Sequence, residues 1–526
     1  MPCTRQPLVA VLLFVALSAT KADVTLAPLF TDHAVLQRGK LVPVWGRADA
    51  GEKITAVFAG QTASATAGSD GRWLVYLQPL AAIREGADLV ITGKNKAILR
   101  DVVVGEVWLC SGQSNMFYPV FDPPTSRIYK AADGHGVDLQ NAAAEVAAAK
   151  FPLIRQFEIG RVVAETPAAS AKGEWAVCSP EAVGRFTAVG YFFARDIHQE
   201  LGVPVGIINS TRSGTQIESW MSPAALASDP AFKVVGERWQ KTLAGYSENK
   251  AAYDLLLAAW TKAEAAALAQ GTAAHSAFLK MDPKPSAPQG PGSSLTPAGL
   301  FNGMINPLLP YAIQGVLWYQ GESNAPRAGE YHALFAAMIT AWRTHFGQGD
   351  FPFYWVSLAN FGNPSDQTGK NYAFLREAQA QALTLPNTGQ ALAIDIGDRD
   401  NIHPANKQEV GRRLALLAKT RIYGFPGEDT GPTFARANRV GATLRVRFTH
   451  GAGLTARDKP VRSLEVAGAD KEFHPATAKI IRDTLLVSTP AVKEPVAVRY
   501  AWSNSPEANL YNGAGLPAVP FRSDKW

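Results

Sequence analysis

The chain has 526 residues, 47% hydrophobic and 18% charged, a balance that excludes a disordered polymer and gives length enough for roughly two to four packed domains. Its formal charge of +6 is mild, and no Lys/Arg-rich run is interleaved with aromatics, which argues against nucleic acid as a partner. Beyond an N-terminal leader there is no apolar run of roughly 18 residues, so no membrane anchor is expected once the leader is removed.

In chain order, residues 1–22 read as that leader. Arg5 supplies a basic start, Leu8 to Leu17 an apolar centre, and Thr20-Lys21-Ala22 a small-residue cleavage site. Loss of Arg5 and Lys21 lowers the formal charge from +6 to +4. The expected location is periplasmic or secreted. Cys3 precedes the apolar run and so is not a lipoprotein anchor. Cys110 and Cys178 remain, and an exported chain permits either a disulfide or two buried thiols. Neither C-x-x-C nor H-E-x-x-H occurs, so no metal is expected.

Residues 23–100 read as β structure. Val42-Pro43-Val44-Trp45-Gly46, Ile54-Thr55-Ala56-Val57-Phe58 and Trp73-Leu74-Val75-Tyr76-Leu77 are short strands separated by Gly-containing turns, which predicts a small antiparallel sandwich. From about residue 101 strands alternate with helices. Val102 to Leu109 is an apolar run that stops at Cys110-Ser111-Gly112-Gln113-Ser114-Asn115-Met116, the pattern of a buried parallel strand delivering a loop to the sheet edge. Helical patterns follow at 186–201, 328–346, 374–384 and about 406–420, with buried strands at 203–208, 316–319, 353–356 and 391–394. Such alternation predicts an α/β domain with a parallel sheet covered on both faces. Residues 222–270 interrupt it as a helical hairpin. Asp282 to Gly292, with four prolines and two glycines, is a loop. After Phe425 the chain is β-rich again: Thr443 to Phe448 alternates cleanly, and Val496, Val498 and Tyr500 share one face of a second strand.

Open α/β sheets bind ligands beyond the carboxyl ends of their strands. A Ser-Asn pair taken alone is plainly accounted for by a helix N-cap, but Ser114 falls at such an edge. A serine nucleophile needs a base, and the base usually needs an orienting acid. Of the nine histidines, His198 and His332 fall on helical patterns, His450 ends a strand and His275 lies in the inserted region. His403 differs. It follows the buried run ending Ile394-Asp395-Ile396-Gly397-Asp398 and precedes a helix, which puts it on a loop at the same edge. Asp400, three residues earlier, lets that loop present imidazole and carboxylate together. Donors for a developing oxyanion are offered by two further strand ends, Gly214 within Ile208 to Thr215 and the side chain of Gln320 within Trp318 to Asn324.

Gly112-Gln113-Ser114-Asn115-Met116, taken with Trp318-Tyr319-Gln320-Gly321-Glu322-Ser323-Asn324 and Ile402-His403-Pro404, resembles the sialate O-acetylesterase family of SGNH hydrolases. The likeness extends to Asn509-Leu510-Tyr511-Asn512 and Gly515-Leu516-Pro517. It implies a flavodoxin-like three-layer catalytic domain over 101–425, with a helical insertion at about 222–285, flanked by β-sandwich domains over 23–100 and 426–526. It further implies hydrolysis of O-acetyl esters on carbohydrates without metal or organic cofactor. Ser114 would be the nucleophile, His403 the general base and Asp400 the residue that holds the imidazole. The N–H groups of Ser114 and Gly214 would form the oxyanion hole. The family pattern expects Asn in the block where this chain has Gln320, which is the expected substitute. The acid varies in position among relatives, so Asp398, Asp395 or a bare Ser-His dyad stand as alternatives to Asp400.

Three other readings fit parts of the chain. The acetylated substrate is a plant hemicellulose such as xylan or xyloglucan; the protein binds glycans without catalysis; or Glu106 and Glu322 form the carboxylate pair of a glycosidase. Glu106, inside a strand, is better suited to a structural role.

Overall fold

The computed structural model describes residues 23–121 and 139–526; the leader expected over 1–22 lies outside the described residues. The apolar run before the Gly-Gln-Ser-Asn segment is the second half of a 17-residue strand, β1 (Lys96–Gly112). From Val102 to Gly112 every residue of β1 is buried, which is why its sequence is largely apolar there rather than alternating. β1 is the centre of a sheet whose further strands are β2 (Ile154–Glu158), β3 (Trp175–Val177), β4 (Val205–Thr211), β5 (Gly315–Tyr319), β6 (Phe353–Ser357) and β7 (Thr388–Leu392), in the spatial order β3-β2-β4-β1-β5-β6-β7. All neighbours on this path are parallel except the edge pair β3–β2.

The connecting helices cover both faces, and the register shows how. Cys110 pairs with Leu317 and Ser111 with Trp318, so by strand alternation Cys110 and Leu317 share one face and Trp318 points to the other. On the first face, Gly190 of α2 (Ala188–Leu201) lies against Cys110. Gly411 of α5 (Lys407–Arg421) lies against Phe192 and Phe193 of α2, and a Cβ there would come within 2.7 Å of Phe192. On the second face, the Trp318 ring packs against Phe335 and Trp342 of α3 (Ala328–Phe346). α4 (Asn371–Gln381) packs beside α3. Trp108, Trp318, Trp342 and Trp355 are fully buried in this core, at about 1.5–3 kcal/mol or more for each side chain removed from water.

The N-terminal β segment does not end where the composition changes. Ile83–Thr92 pairs antiparallel with the first half of β1, and Val35–Gln37 pairs parallel with Val103–Gly105. These strands therefore share one eleven-stranded sheet with the parallel region, and a single apolar core runs from Val24 to Ala418. The inserted region holds a short helix, Pro223–Ala227, and then three longer ones rather than a hairpin, Lys233–Ala244, Tyr246–Ala269 and Thr272–Met281, because Gly245 and Gly271 break its helical pattern twice. The C-terminal segment forms two four-stranded antiparallel sheets around a second core that includes Val446, Val466, Leu485, Val498 and Tyr500.

Candidate active site

Three strands stop on one rung. Gly112 pairs with Thr211 at the end of β4 and with Tyr319 at the end of β5. The turns leaving these strands are therefore delivered to one edge. The turn out of β1 demands glycine: Gly112 has φ +129°, and a Cβ there would lie 2.2 Å from the Tyr319 carbonyl oxygen. The chain then enters a single helical turn, α1 (Ser114–Phe117), with Gln113 at its N-cap and no side-chain cap. Ser114 is thus the first helical residue and not the cap. Its N–H belongs to the first turn, which has no intrahelical acceptor.

β7 ends at Leu392, and the loop after it carries His403 back over the same edge. His403 Nε2 lies 2.8 Å from Ser114 Oγ. The loop is shaped by successive side-chain-to-backbone bonds. Asp398 Oδ1 accepts from the Asp400 N–H at 2.8 Å, and Asn401 Oδ1 accepts from the His403 N–H at 2.9 Å. Asn406 then caps α5 by accepting from the Glu409 N–H at 3.0 Å. The Tyr118 ring stands 6.3 Å from the imidazole, centroid to centroid.

The other expected site residues fall out differently. Gly214 sits on the exposed turn after β4, at φ +68°. That turn is fastened by Thr215 Oγ1, which donates to the Arg212 carbonyl at 2.8 Å and accepts from Trp220 Nε1 at 3.0 Å. The Asp400 carboxylate is exposed, and among the described hydrogen bonds none joins it to His403. The turn that fixes its N–H on Asp398 leaves its side chain in solvent. Asp395 is held bidentate by Arg413, at 2.7 and 2.9 Å.

Gln320 corrects its expected role. It is fully buried, and its Nε2 donates to the Thr215 carbonyl at 3.0 Å and to Asn324 Oδ1 at 2.8 Å, while its Oε1 accepts from Tyr331 at 3.0 Å. Both amide hydrogens are committed, so no donor is left for an oxyanion. The side chain instead ties the turn after β4 to the turn after β5.

Residue patterns did not single out Asn115 and Lys407 for this edge, and cast Glu322 in another role. Asn115 Nδ2 donates to Glu322 Oε1 at 2.6 Å and to the Ile402 carbonyl at 3.0 Å. Asn115 Oδ1 accepts from Lys407 Nζ at 2.5 Å. Lys407 is 0% exposed, and burial pushes its ammonium down to about 7 despite the opposing pull of Glu322. Burial likewise pushes the Glu322 carboxyl up, against the hydrogen bond from Asn115. The Lys407 Nζ lies 4.6 Å from the Tyr118 ring centroid. The available signal was a lysine in the first turn of the helix after His403, at a position that faces the sheet.

Glu106 is paired with Arg38 at 2.5 Å and bonded by Gln37 at 3.1 Å. It lies six residues before the strand end, about 20 Å from the edge that holds Glu322. The carboxyl pairs of glycosidases stand roughly 5–10 Å apart. Cys110 and Cys178 are both free and buried. Burial is also what pushes the Cys178 thiol up to about 11.

Residues 300–419, which include Gln320, Glu322, His403 and Lys407, match the family model described as carbohydrate esterase, sialic acid-specific acetylesterase. The chain is 28% identical to the sialate O-acetylesterase of Rattus norvegicus, over 91% of this chain and 90% of that one. It is 27% identical to the sialate O-acetylesterase of Homo sapiens, over 91% and 88%. Among solved structures it is similar to a carbohydrate acetylesterase from Xanthomonas citri, with 37% identity and a TM-score of 0.77, covering 96% of this chain and 100% of that one.

Proposed function

The chain belongs to the sialate O-acetylesterase family of carbohydrate esterases, and from that premise we propose that it releases acetate from O-acetylated sugars through Ser114 and His403. The observation that carries the reading is the 2.8 Å contact between Ser114 Oγ and His403 Nε2 at the edge where three strands end together. With Nε2 unprotonated, His403 accepts the Ser114 hydroxyl proton as Oγ bonds to the acetyl carbonyl carbon. The carbonyl π electrons move to oxygen, and the N–H groups of Ser114 and Gly214 face the charge that forms there. Collapse expels the sugar oxygen, which takes the proton from His403. Water then attacks the acetyl carbon of the acetyl-serine while His403 takes its proton; collapse breaks the acyl–Oγ bond, Ser114 Oγ takes that proton back from His403, and acetic acid leaves and ionises to acetate.

Support for these two donors is positional: Ser114 stands two residues beyond Gly112 and Gly214 three beyond its partner Thr211. Gln320 drops out of the hole, its amide hydrogens being committed to buried partners, and the solvent-exposed Asp400 carboxylate is given no role on the imidazole. The same reading takes the parallel core as an SGNH-type catalytic domain between β-rich segments, and the leader over 1–22 as the address of an exported, periplasmic or secreted protein.

Ser114→Ala tests the assignment. It is expected to lower acetate release from an acetylated chromogenic ester by at least about 1,000-fold, since a hydroxyl nucleophile has no substitute at that position. Retained turnover would remove the proposal. Acetate release across acetylated sialic acids, xylan and xyloglucan fragments then identifies the sugar.

A further inference from the structure

The serine nucleophile follows the central strand β1 and its base follows the edge strand β7, and more than their own hydrogen bond joins them. Asn115, next to Ser114, is buried and bonds through both ends of its amide. Nδ2 holds Glu322 Oε1 and the carbonyl of Ile402, the residue before His403; Oδ1 takes the bond from Lys407. A side-chain amide can sit either way round. Here a cation on the Oδ1 side and a carboxylate on the Nδ2 side leave one orientation, the one that places N–H groups toward Ile402. Glu322 Oε2 is itself buried without a hydrogen-bond partner among the described residues. Charges in such a site are costly, and an apolar pair of similar volume would fill the space at lower desolvation cost. Stability alone therefore does not account for placing an ammonium and a carboxylate on either side of the residue after the nucleophile.

We propose that Lys407, Asn115 and Glu322 are positioning residues. The charged pair sets the Asn115 amide, and the amide holds the Ile402–His403 backbone so that the imidazole stays within hydrogen-bond reach of Ser114. This rests on the acetylesterase reading above. None of the three touches the acetyl group; they act through His403.

The test compares four variants of the full chain, Ser114→Ala, Asn115→Ala, Lys407→Met and the double variant Lys407→Met with Glu322→Gln, by melting temperature and by kcat and KM on an acetylated chromogenic ester. Lys407→Met alone leaves Glu322 without its countercharge and is expected to lower both melting temperature and kcat. The double variant removes both charges and is expected to recover the melting temperature while kcat stays down about 100-fold with KM nearly unchanged, the scale of a small misplacement of a reacting group. Asn115→Ala, which removes neither charge, is expected to show the same loss of kcat when assayed below its own melting temperature. Recovery of kcat together with melting temperature in the double variant, or kcat within about 3-fold of the parent in Asn115→Ala, overturns the positioning role. Should Ser114→Ala itself retain turnover, the acetylesterase reading fails first, so the two failures are distinguishable.

Discussion

Ser114 and His403 lie 289 residues apart in sequence and 2.8 Å apart in space. Both were legible from sequence for one reason: each comes after a buried strand run, at the end where an open sheet binds ligands. Asp400 and Gln320 were placed by spacing, strand-end position and family resemblance, and none of these says where a side chain points. Two successive side-chain-capped turns leave the Asp400 carboxylate in solvent, and three buried partners absorb the Gln320 amide. Gln320→Ala strands the Thr215 carbonyl, at about 1–3 kcal/mol for a buried group left unpaired, and takes one bond each from Asn324 Oδ1, which keeps the Ile217 N–H, and from the Tyr331 hydroxyl, which keeps the backbone carbonyl of residue 320. Thermal unfolding of that variant should occur several degrees lower, while the folded protein turns over a small acetyl ester within a few-fold of the parent. Parental melting with lost turnover would instead restore Gln320 to the oxyanion hole.

At the scale of elements, the helix expected over 328–346 is Ala328–Phe346 to the residue, because its apolar stripe is long and buried against the Trp318 face of the sheet. The strand expected over 391–394 is Thr388–Leu392. Its start has no apolar signal, Thr388-Gly389-Gln390 being buried by the sheet around it. The turn between β1 and α1 is the element on which the site depends most. Gly112→Ala places a methyl 2.2 Å from the Tyr319 carbonyl oxygen at a backbone angle that L residues rarely adopt. The variant should lose at least about 2–3 kcal/mol. It should also lose most of its acetate release even well below its melting temperature, since relief of the clash moves Ser114. A calorimetric scan beside an activity assay checks both.

At the scale of the whole molecule, the end of α5 is fastened through a carboxylate to the segment that leads into the C-terminal sheets. Burial by itself would raise the Asp429 carboxyl, but bonds from Arg421, Thr420 and Thr430 outweigh it and hold it at about 2. A carboxyl with a depressed folded-state pKa stabilises the fold above its unfolded value, near 3.9, and that contribution fades as pH falls through about 2. Asp429→Asn should therefore melt below the parent at neutral pH, with the gap closing between about pH 4 and pH 2; a gap independent of pH would mean that charge plays no part.

β1 has a consequence of another kind. Composition suggests a seam near residue 100, yet one strand runs through it from Lys96 to Gly112 and is hydrogen-bonded on both sides of it. The N-terminal β segment is therefore no transferable cassette. A cut at that seam severs the backbone of the strand that ends at the nucleophile turn and bares unpaired ladder on both fragments. Whatever shuffles, trims or grafts this protein must take the N-terminal strands and the active-site turn as one inheritance.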